Sequence, residues 1–355
     1  VPGSEIGFRK EKHLSICTDP SRFSVEGNHS GFEGVQFIHD ALPELSAEEV
    51  DPSAEFLGRR IPLPLFISCM TGGSAGGVVA NRELAKAAQR LGIPVGMGSI
   101  RVLFDSPELF EHFHLKALAP DVPVLANVGA VQVRDRRHEE LLELARRLEV
   151  DALVVHLNPG QELFQPEGDR DFRGLKEALA RLCRRSPLPI IVKETGFGIR
   201  PKLVRELLEM GAAYVDLAGA GGTNWVTVEA YRLPEAEREA AAELAHWGLP
   251  TAALLALAAA DGAPILASGG VRGGLDVARA VALGGRLAGL ALPMARRVVA
   301  GGAQAVEAYV RRMGEVLRAV MVLTGSRTLG ELRTGKIWLS PELAGTVEAL
   351  RSAGA

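Results

Sequence analysis

The chain has 355 residues, is 47% hydrophobic and 23% charged, and carries a formal net charge of −3. That composition excludes a disordered chain and provides for a large core, and the near-balanced charge offers no attraction to nucleic acid or an anionic membrane. Cys17, Cys69 and Cys183 are odd in number, far apart and without metal-ligand spacing, and no cationic-then-apolar leader opens the sequence, so a reducing, cytoplasmic setting is expected.

Residues 1–60 show no regular alternation, although Arg9 to His13 reads R-K-E-K-H and 32–39 reads as extended. A rhythm begins at Ile61. Eight short apolar runs follow, at 63–68, 94–98, 124–127, 152–156, 190–193, 214–217, 265–268 and 287–290. Amphipathic helical stretches such as 78–91, 137–148, 201–210 and 275–283 lie between them, and Gly92, Gly211 and Gly284 supply stop signals. Alternating strands and helices demand a parallel sheet, and eight repeats fit an α/β (β/α)8 TIM barrel over 61–325. An N-terminal extension, 1–60, would precede it and a polar C-terminal tail with one or two short helices, 326–355, would follow. The alternative, an open doubly wound sheet, should carry G-x-G-x-x-G in its first turn; this chain reads T-G-G-S-A-G-G from Thr71. The stretch 218–250 is too long for an ordinary connection and reads as a lid or insertion. The most apolar helix, 251–260, is too short to span a bilayer.

In such a barrel the C-terminal strand ends build the active site. Residues 265–274 read I-L-A-S-G-G-V-R-G-G, a strand, a glycine turn and a helix start. That order aims backbone N–H groups and a positive helix end at a phosphate, with Arg272 as a forked partner. Barrels bind phosphates after strands seven and eight, which adds Ala291 and Leu292 to Gly270, Arg272 and Gly273; Thr223 can donate a hydroxyl to the same group. Lys193 ends the fifth run, where a lysine meets an anion or electron-rich ring, forms a Schiff base, or pairs with Glu162 or Asp216. The single carboxylate of Glu162 suffices for Mg²⁺, which keeps waters and takes substrate phosphates as further ligands. His156 either bonds a ring or caps the barrel. Arg9, Lys10 and Arg101 together would clamp a second anionic ligand over the mouth.

The strings Arg9-Lys10 with His13, M-T-G from Met70, S-I-R from Ser99, N-P-G-Q-E from Asn158, V-K-E-T-G from Val192, G-A-G-G-T from Gly219 and S-G-G-V-R from Ser268 occur in order. This ordered set resembles the type 2 isopentenyl-diphosphate isomerases. The resemblance implies an FMN-dependent enzyme of isoprene biosynthesis that interconverts two five-carbon diphosphates. It implies FMN contacts from Met70, Thr71, Gly72, Ser99, Asn127, Lys193, Thr223, Gly270, Val271, Arg272, Gly273, Ala291 and Leu292. Substrate would meet Arg9, Lys10, Ser99, Ile100, Arg101, Asn158 and Gln161, with Mg²⁺ on Glu162. It further implies NADPH as the source of reduced flavin and a cytoplasmic homo-oligomer, a tetramer or larger. Reduced FMN would be the acid–base catalyst, with Lys193 stabilising its anionic form and Gln161 and His156 assisting. Asn224 departs from the serine expected in many relatives. Three rivals remain. A 2-hydroxy-acid oxidase needs a histidine–glycine–x–arginine string after strand seven, and a purine-nucleotide dehydrogenase needs a cysteine after strand six; neither is present. A non-catalytic flavin-binding regulator would leave the second anion clamp and Glu162 idle.

Overall fold

Eight parallel strands close into a barrel: Leu65–Ile67 (β1), Val95–Ser99 (β2), Val124–Gly129 (β3), Ala152–Leu157 (β4), Ile190–Glu194 (β5), Tyr214–Asp216 (β6), Ile265–Ser268 (β7) and Leu287–Leu290 (β8). β8 pairs with β1 and β6 with β7, so the ring has no open edge. These strands come from a computed structural model that describes residues 5–259 and 262–354. Residues 1, 260 and 355, the ends of three expected spans, lie outside the described residues.

Side chains alternate along each strand, so one face of every strand looks into the barrel. Phe66, Leu125, Val154, Ile191, Leu266 and Leu287 fill that interior, and Phe56 and Ile61 join them from the hairpin Ala54–Phe56/Arg59–Ile61. Two residues further along the same inward face come Ser68, Asn127, His156, Lys193, Ser268 and Gly289. The register sets His156 beside Lys193 and Lys193 beside Asp216. The apolar plug and the polar belt above it therefore follow from one period-two pattern.

The outer faces of the strands pack against helices. The expected helix at 78–91 begins earlier, at Ala75, because Ser74 caps it by accepting from the Gly77 N–H. It stops at Gly92, whose φ of 68° suits glycine. The segment before the barrel holds a helix that the composition did not reveal, Glu5–Thr18 (α1). The sequence N-P-G-Q-E starts the short helix Pro159–Phe164 (α2), with proline at its first position. The long stretch after β6 is not bare loop either: it contains Trp225–Ala230 (α3) and Glu235–Ala242 (α4). The tail adds a short strand, Ile337–Leu339, which pairs antiparallel with Val35–Phe37, so the segments before and after the barrel meet in one ribbon. Among the described residues no helix is long and apolar enough to cross a membrane.

Candidate active site

The C-terminal end of the barrel opens into a cavity of about 1660 Å³, counted out into its mouth. Its walls divide by chemistry into two parts.

The first part is the corner above β6, β7 and β8. Gly269 and Gly270 have φ of 100° and 81°, a region open to glycine. A Cβ on Gly222 would lie 3.1 Å from the Gly270 nitrogen, so two glycine-rich turns meet here with no side chain between them. Ala291 and Leu292 at the start of the helix Leu292–Leu323 (α5) complete the wall, and such a helix end favours an anion. The Ser68 hydroxyl is buried with no hydrogen-bond partner among the described residues, and the residue lines the same cavity. A buried polar group of that kind is normally satisfied, so a phosphorylated flavin with polar ring edges fits both the glycine cradle and the belt beside it. Arg272 lines this corner but is already engaged. Its guanidinium is bound to Glu26, which also takes Arg296 at 2.9 Å, so backbone rather than the arginine fork is left to hold a phosphate. Gly273 stands apart from the cradle. It lies outside the cavity wall, and a Cβ there would meet nothing within 4 Å.

The polar belt forms the floor. Lys193, 8% exposed, donates to the Glu194 carbonyl at 2.6 Å. Asp216 takes the Ser268 hydroxyl at 2.5 Å; burial raises its pKa, with Lys193 opposing. Asn127 Oδ1 faces His156 Nδ1 at 3.0 Å. Burial, then Lys193, Arg101 and Lys10, push the His156 pKa down to about 3, so this imidazole is neutral. Glu194 points away from chemistry: its carboxylate accepts the N–H groups of Gly196 and Phe197 at 2.6 and 2.5 Å and holds the loop after β5.

The second part is the mouth. α1 carries Arg9 and Lys10 over the opening, toward Arg101 at the end of β2. Arg9 is 8% exposed and pairs with Glu167 at 2.9 Å. Lys10 donates to the Ser99 carbonyl, 3.2 Å away, and lies over the Phe113 ring. Burial, with Arg9 and Arg101 repelling it, lowers the Lys10 pKa to about 7. Among the described residues Arg101 has no ion-pair partner. Three cations, Arg9 buried and Lys10 and Arg101 half-buried, with Glu167 as their one ion-pair partner among the described residues, favour an anion at the mouth.

Glu162 stands beside this cluster, 8% exposed. Its two oxygens accept from Asn158 Nδ2 and the Asp169 N–H, both at 2.9 Å. No group of three metal-ligating side chains exists among the described residues. The carboxylate therefore fits Mg²⁺, which shares its shell with water and ligand phosphates, and does not fit a protein-only metal cage.

Gln161 is held at both ends, donating to Glu229 Oε1 at 2.9 Å and accepting from Asn158 Nδ2 at 3.1 Å. Glu229 on α3 is fully buried, and also takes His13 at 2.9 Å and Arg232. Burial would raise its pKa, but the hydrogen bond and charge of His13, then Gln161 and Arg232, lower it. Trp225 packs edge-on to His13, with ring centroids 5.3 Å apart. Glu229, Arg232 and Gln165 were missed in the sequence. A glutamate on the apolar face of α3 was the available signal for the first. Asn224 is explained: it caps α3 and donates to the Leu244 and Ala245 carbonyls at 3.0 and 2.9 Å, which serine is too short to do.

All the expected site residues line this cavity except Gly273 and Ile100. Ile100 is sealed in the core at 0% exposure, and its N–H is given to the Asn127 carbonyl at 2.8 Å. No atom of it is free for a ligand.

The chain matches the FMN-dependent dehydrogenase family over residues 19–159 and 162–339. It is 42% identical over 335 residues to the isopentenyl-diphosphate delta-isomerase of Borrelia garinii subsp. bavariensis, covering 94% of each chain. The isomerase of Pyrococcus abyssi is 40% identical over 92% of this chain and 90% of its own; that of Stutzerimonas stutzeri is 42% identical over 93% and 96%. Among solved structures, a flavocytochrome b2 variant superposes with a TM-score of 0.67 at 19% identity, over 95% of this chain and 84% of its own. A mandelate oxidase variant gives 0.62 at 19% identity, over 93% and 92%. At that identity the two structures bear on the fold alone.

Proposed function

The chain belongs to the isopentenyl-diphosphate delta-isomerase family, and we propose that it interconverts isopentenyl and dimethylallyl diphosphate over a bound FMN. The observation that carries this reading is the pair of separate anion sites, a backbone cradle at β6–β8 and the Arg9, Lys10, Arg101 cluster across the mouth. One phosphate-bearing cofactor and one diphosphate substrate satisfy both; an oxidase acting on a small carboxylate leaves the three-cation clamp without a purpose.

The residues divide the work. Met70, Thr71, Gly72, Ser99, Asn127, Lys193 and Thr223 hold the flavin ring and side chain, while Gly270, Val271, Ala291 and Leu292 cradle its phosphate. The N-terminal extension, 1–60, brings Arg9, Lys10 and His13 to the mouth of the 61–325 barrel, and the C-terminal tail, 326–355, pairs its strand Ile337–Leu339 with Val35–Phe37 of the extension. Asn158 and Gln161 meet the substrate, and Glu162 takes Mg²⁺ together with diphosphate oxygens. Binding energy from the clamp orients a small hydrocarbon tail that offers no polar handle of its own.

Isomerisation adds a proton to the alkene and removes one from an adjacent carbon. Reduced flavin, when bound, supplies the acid–base group, and NADPH is the reductant we assign to it. Lys193, on the cavity floor, would stabilise negative charge on that group. His156 has a pKa of about 3, so its role is to donate or accept a hydrogen bond, not to deliver a proton at neutral pH. Gln161, clamped by Asn158 and Glu229, positions the substrate. A cytoplasmic homotetramer or larger assembly completes the reading.

The test is anaerobic incubation with reduced FMN, Mg²⁺ and either isomer in deuterated water. Interconversion with solvent deuterium entering the five-carbon unit is expected. Protein that carries flavin, shows no exchange and instead oxidises a 2-hydroxy acid would overturn the isomerase reading in favour of the oxidase one.

A further inference from the structure

Gln165 closes α2 one turn beyond Glu162, three residues on, so the two side chains lie on the same side of the helix. It is 4% exposed, and its residue lines the cavity. Its backbone is fully used: the N–H donates to the Gln161 carbonyl at 2.9 Å, and its own carbonyl accepts from Gly168 and Arg170. Its side-chain amide makes no hydrogen bond to any described residue. Its amide atoms are not sealed from solvent, so they keep exposure where the residue lines the cavity and stay open to a ligand, while the other polar side chains of this helix are already engaged. Asn158 donates to Glu162 and Gln161, Gln161 donates to Glu229, and Glu162 accepts from Asn158 and Asp169. Arg170, which could have shielded the amide, is turned to backbone carbonyls.

We infer that Gln165 is a further substrate-binding residue, its Nε2 donating a hydrogen bond to a diphosphate oxygen beside the cation on Glu162. The surroundings favour a donor to an anion. Arg9, Lys10 and Arg101 supply point charges around the mouth, and a neutral donor adds direction without further repulsion among cations. A role for Oε1 as a direct metal ligand is the competing assignment. The two separate cleanly, because a glutamate at 165 would strengthen metal binding and repel a diphosphate.

The inference rests on the diphosphate reading above, so its test begins with binding rather than turnover. Inorganic pyrophosphate with Mg²⁺ is titrated calorimetrically into FMN-loaded protein, wild type, Gln165→Met and Gln165→Glu. Failure of the wild type to bind pyrophosphate would remove the diphosphate reading itself. With wild-type binding in place, an affinity loss of about tenfold is expected for Gln165→Met and a larger loss for Gln165→Glu. KM for the five-carbon diphosphate should rise in parallel, kcat should stay within about threefold, and FMN affinity should not move. Wild-type affinity in Gln165→Met overturns the inference, and tighter Mg²⁺ binding in Gln165→Glu replaces it with the metal-ligand assignment. If Gln165→Met does not load FMN, Gln165→Glu decides the matter by the same titration.

Discussion

The two anion sites in this cavity are built from opposite materials. The corner above β6–β8 uses backbone: glycines with positive φ, a helix start, and turns that touch with no side chain between them. The mouth uses long cationic side chains brought from α1 and the end of β2, neighbours in space across some ninety residues of sequence. A backbone cradle is rigid and nearly neutral, which suits a resident cofactor. A clamp of mutually repelling cations is unstable when empty and gains most when an anion arrives, which suits a ligand that enters and leaves.

If that contrast holds, variants on one side leave the other side's ligand untouched. The largest effect is expected at the corner. Gly270→Val places a β-branched residue at φ 81° against Ser30, and should lower FMN affinity roughly a hundredfold and stability by about 3 kcal/mol. Flavin fluorescence titration and thermal melts measure the two. Arg101→Ala should do the converse, raising KM for the diphosphate about thirtyfold while FMN affinity stays at the wild-type value. Simultaneous loss of flavin in that variant would merge the two sites into one. Glu162→Gln should raise the Mg²⁺ concentration for half-maximal turnover about tenfold, with FMN still bound.

The pH dependence sharpens the clamp side further. In the free protein Lys10 is charged below about 7 and neutral above. A diphosphate binds the charged form, so kcat/KM should fall as pH rises through about 7, and Lys10→Met should flatten that limb. An unchanged limb in the variant would place the titration elsewhere. The smallest effect belongs to neither site: Asn224→Ser keeps a capping oxygen but loses two donated bonds to Leu244 and Ala245, costing about 1 kcal/mol in unfolding free energy with no change in either ligand.

The corner was far more legible than the clamp, and the reason is physical. Eight apolar runs, glycine stops and the S-G-G-V-R turn express constraints that act over a few residues: pleat period, positive φ, and close approach of one backbone to another. The spans at 265–268 and 287–290 match β7 and β8 residue for residue. A local reading does not decide contacts between distant segments. Gly273 looked like part of the cradle and faces open space; Ile100 sits in the S-I-R string but is sealed in the core; Arg272 looked like a phosphate fork and is taken by Glu26 from a distant segment. α1 escaped notice because its apolar stripe is weak, and Glu229 because nothing near it in sequence shows that His13, Gln161 and Arg232 converge on it.

Periodicity and turn chemistry were thus enough to dictate a closed parallel barrel and to put Asn127, His156, Lys193 and Ser268 on one inward belt, since a strand's alternation leaves no other choice once its apolar half faces the core. Only the folded path of the chain decided which charges meet: that Lys10 lies among Arg9 and Arg101 and is pushed to about 7, that His156 is neutral, and that the Gln165 amide has no hydrogen-bond partner among the described residues. Those outcomes depend on burial and on distances between segments remote in sequence, and no local pattern encodes either.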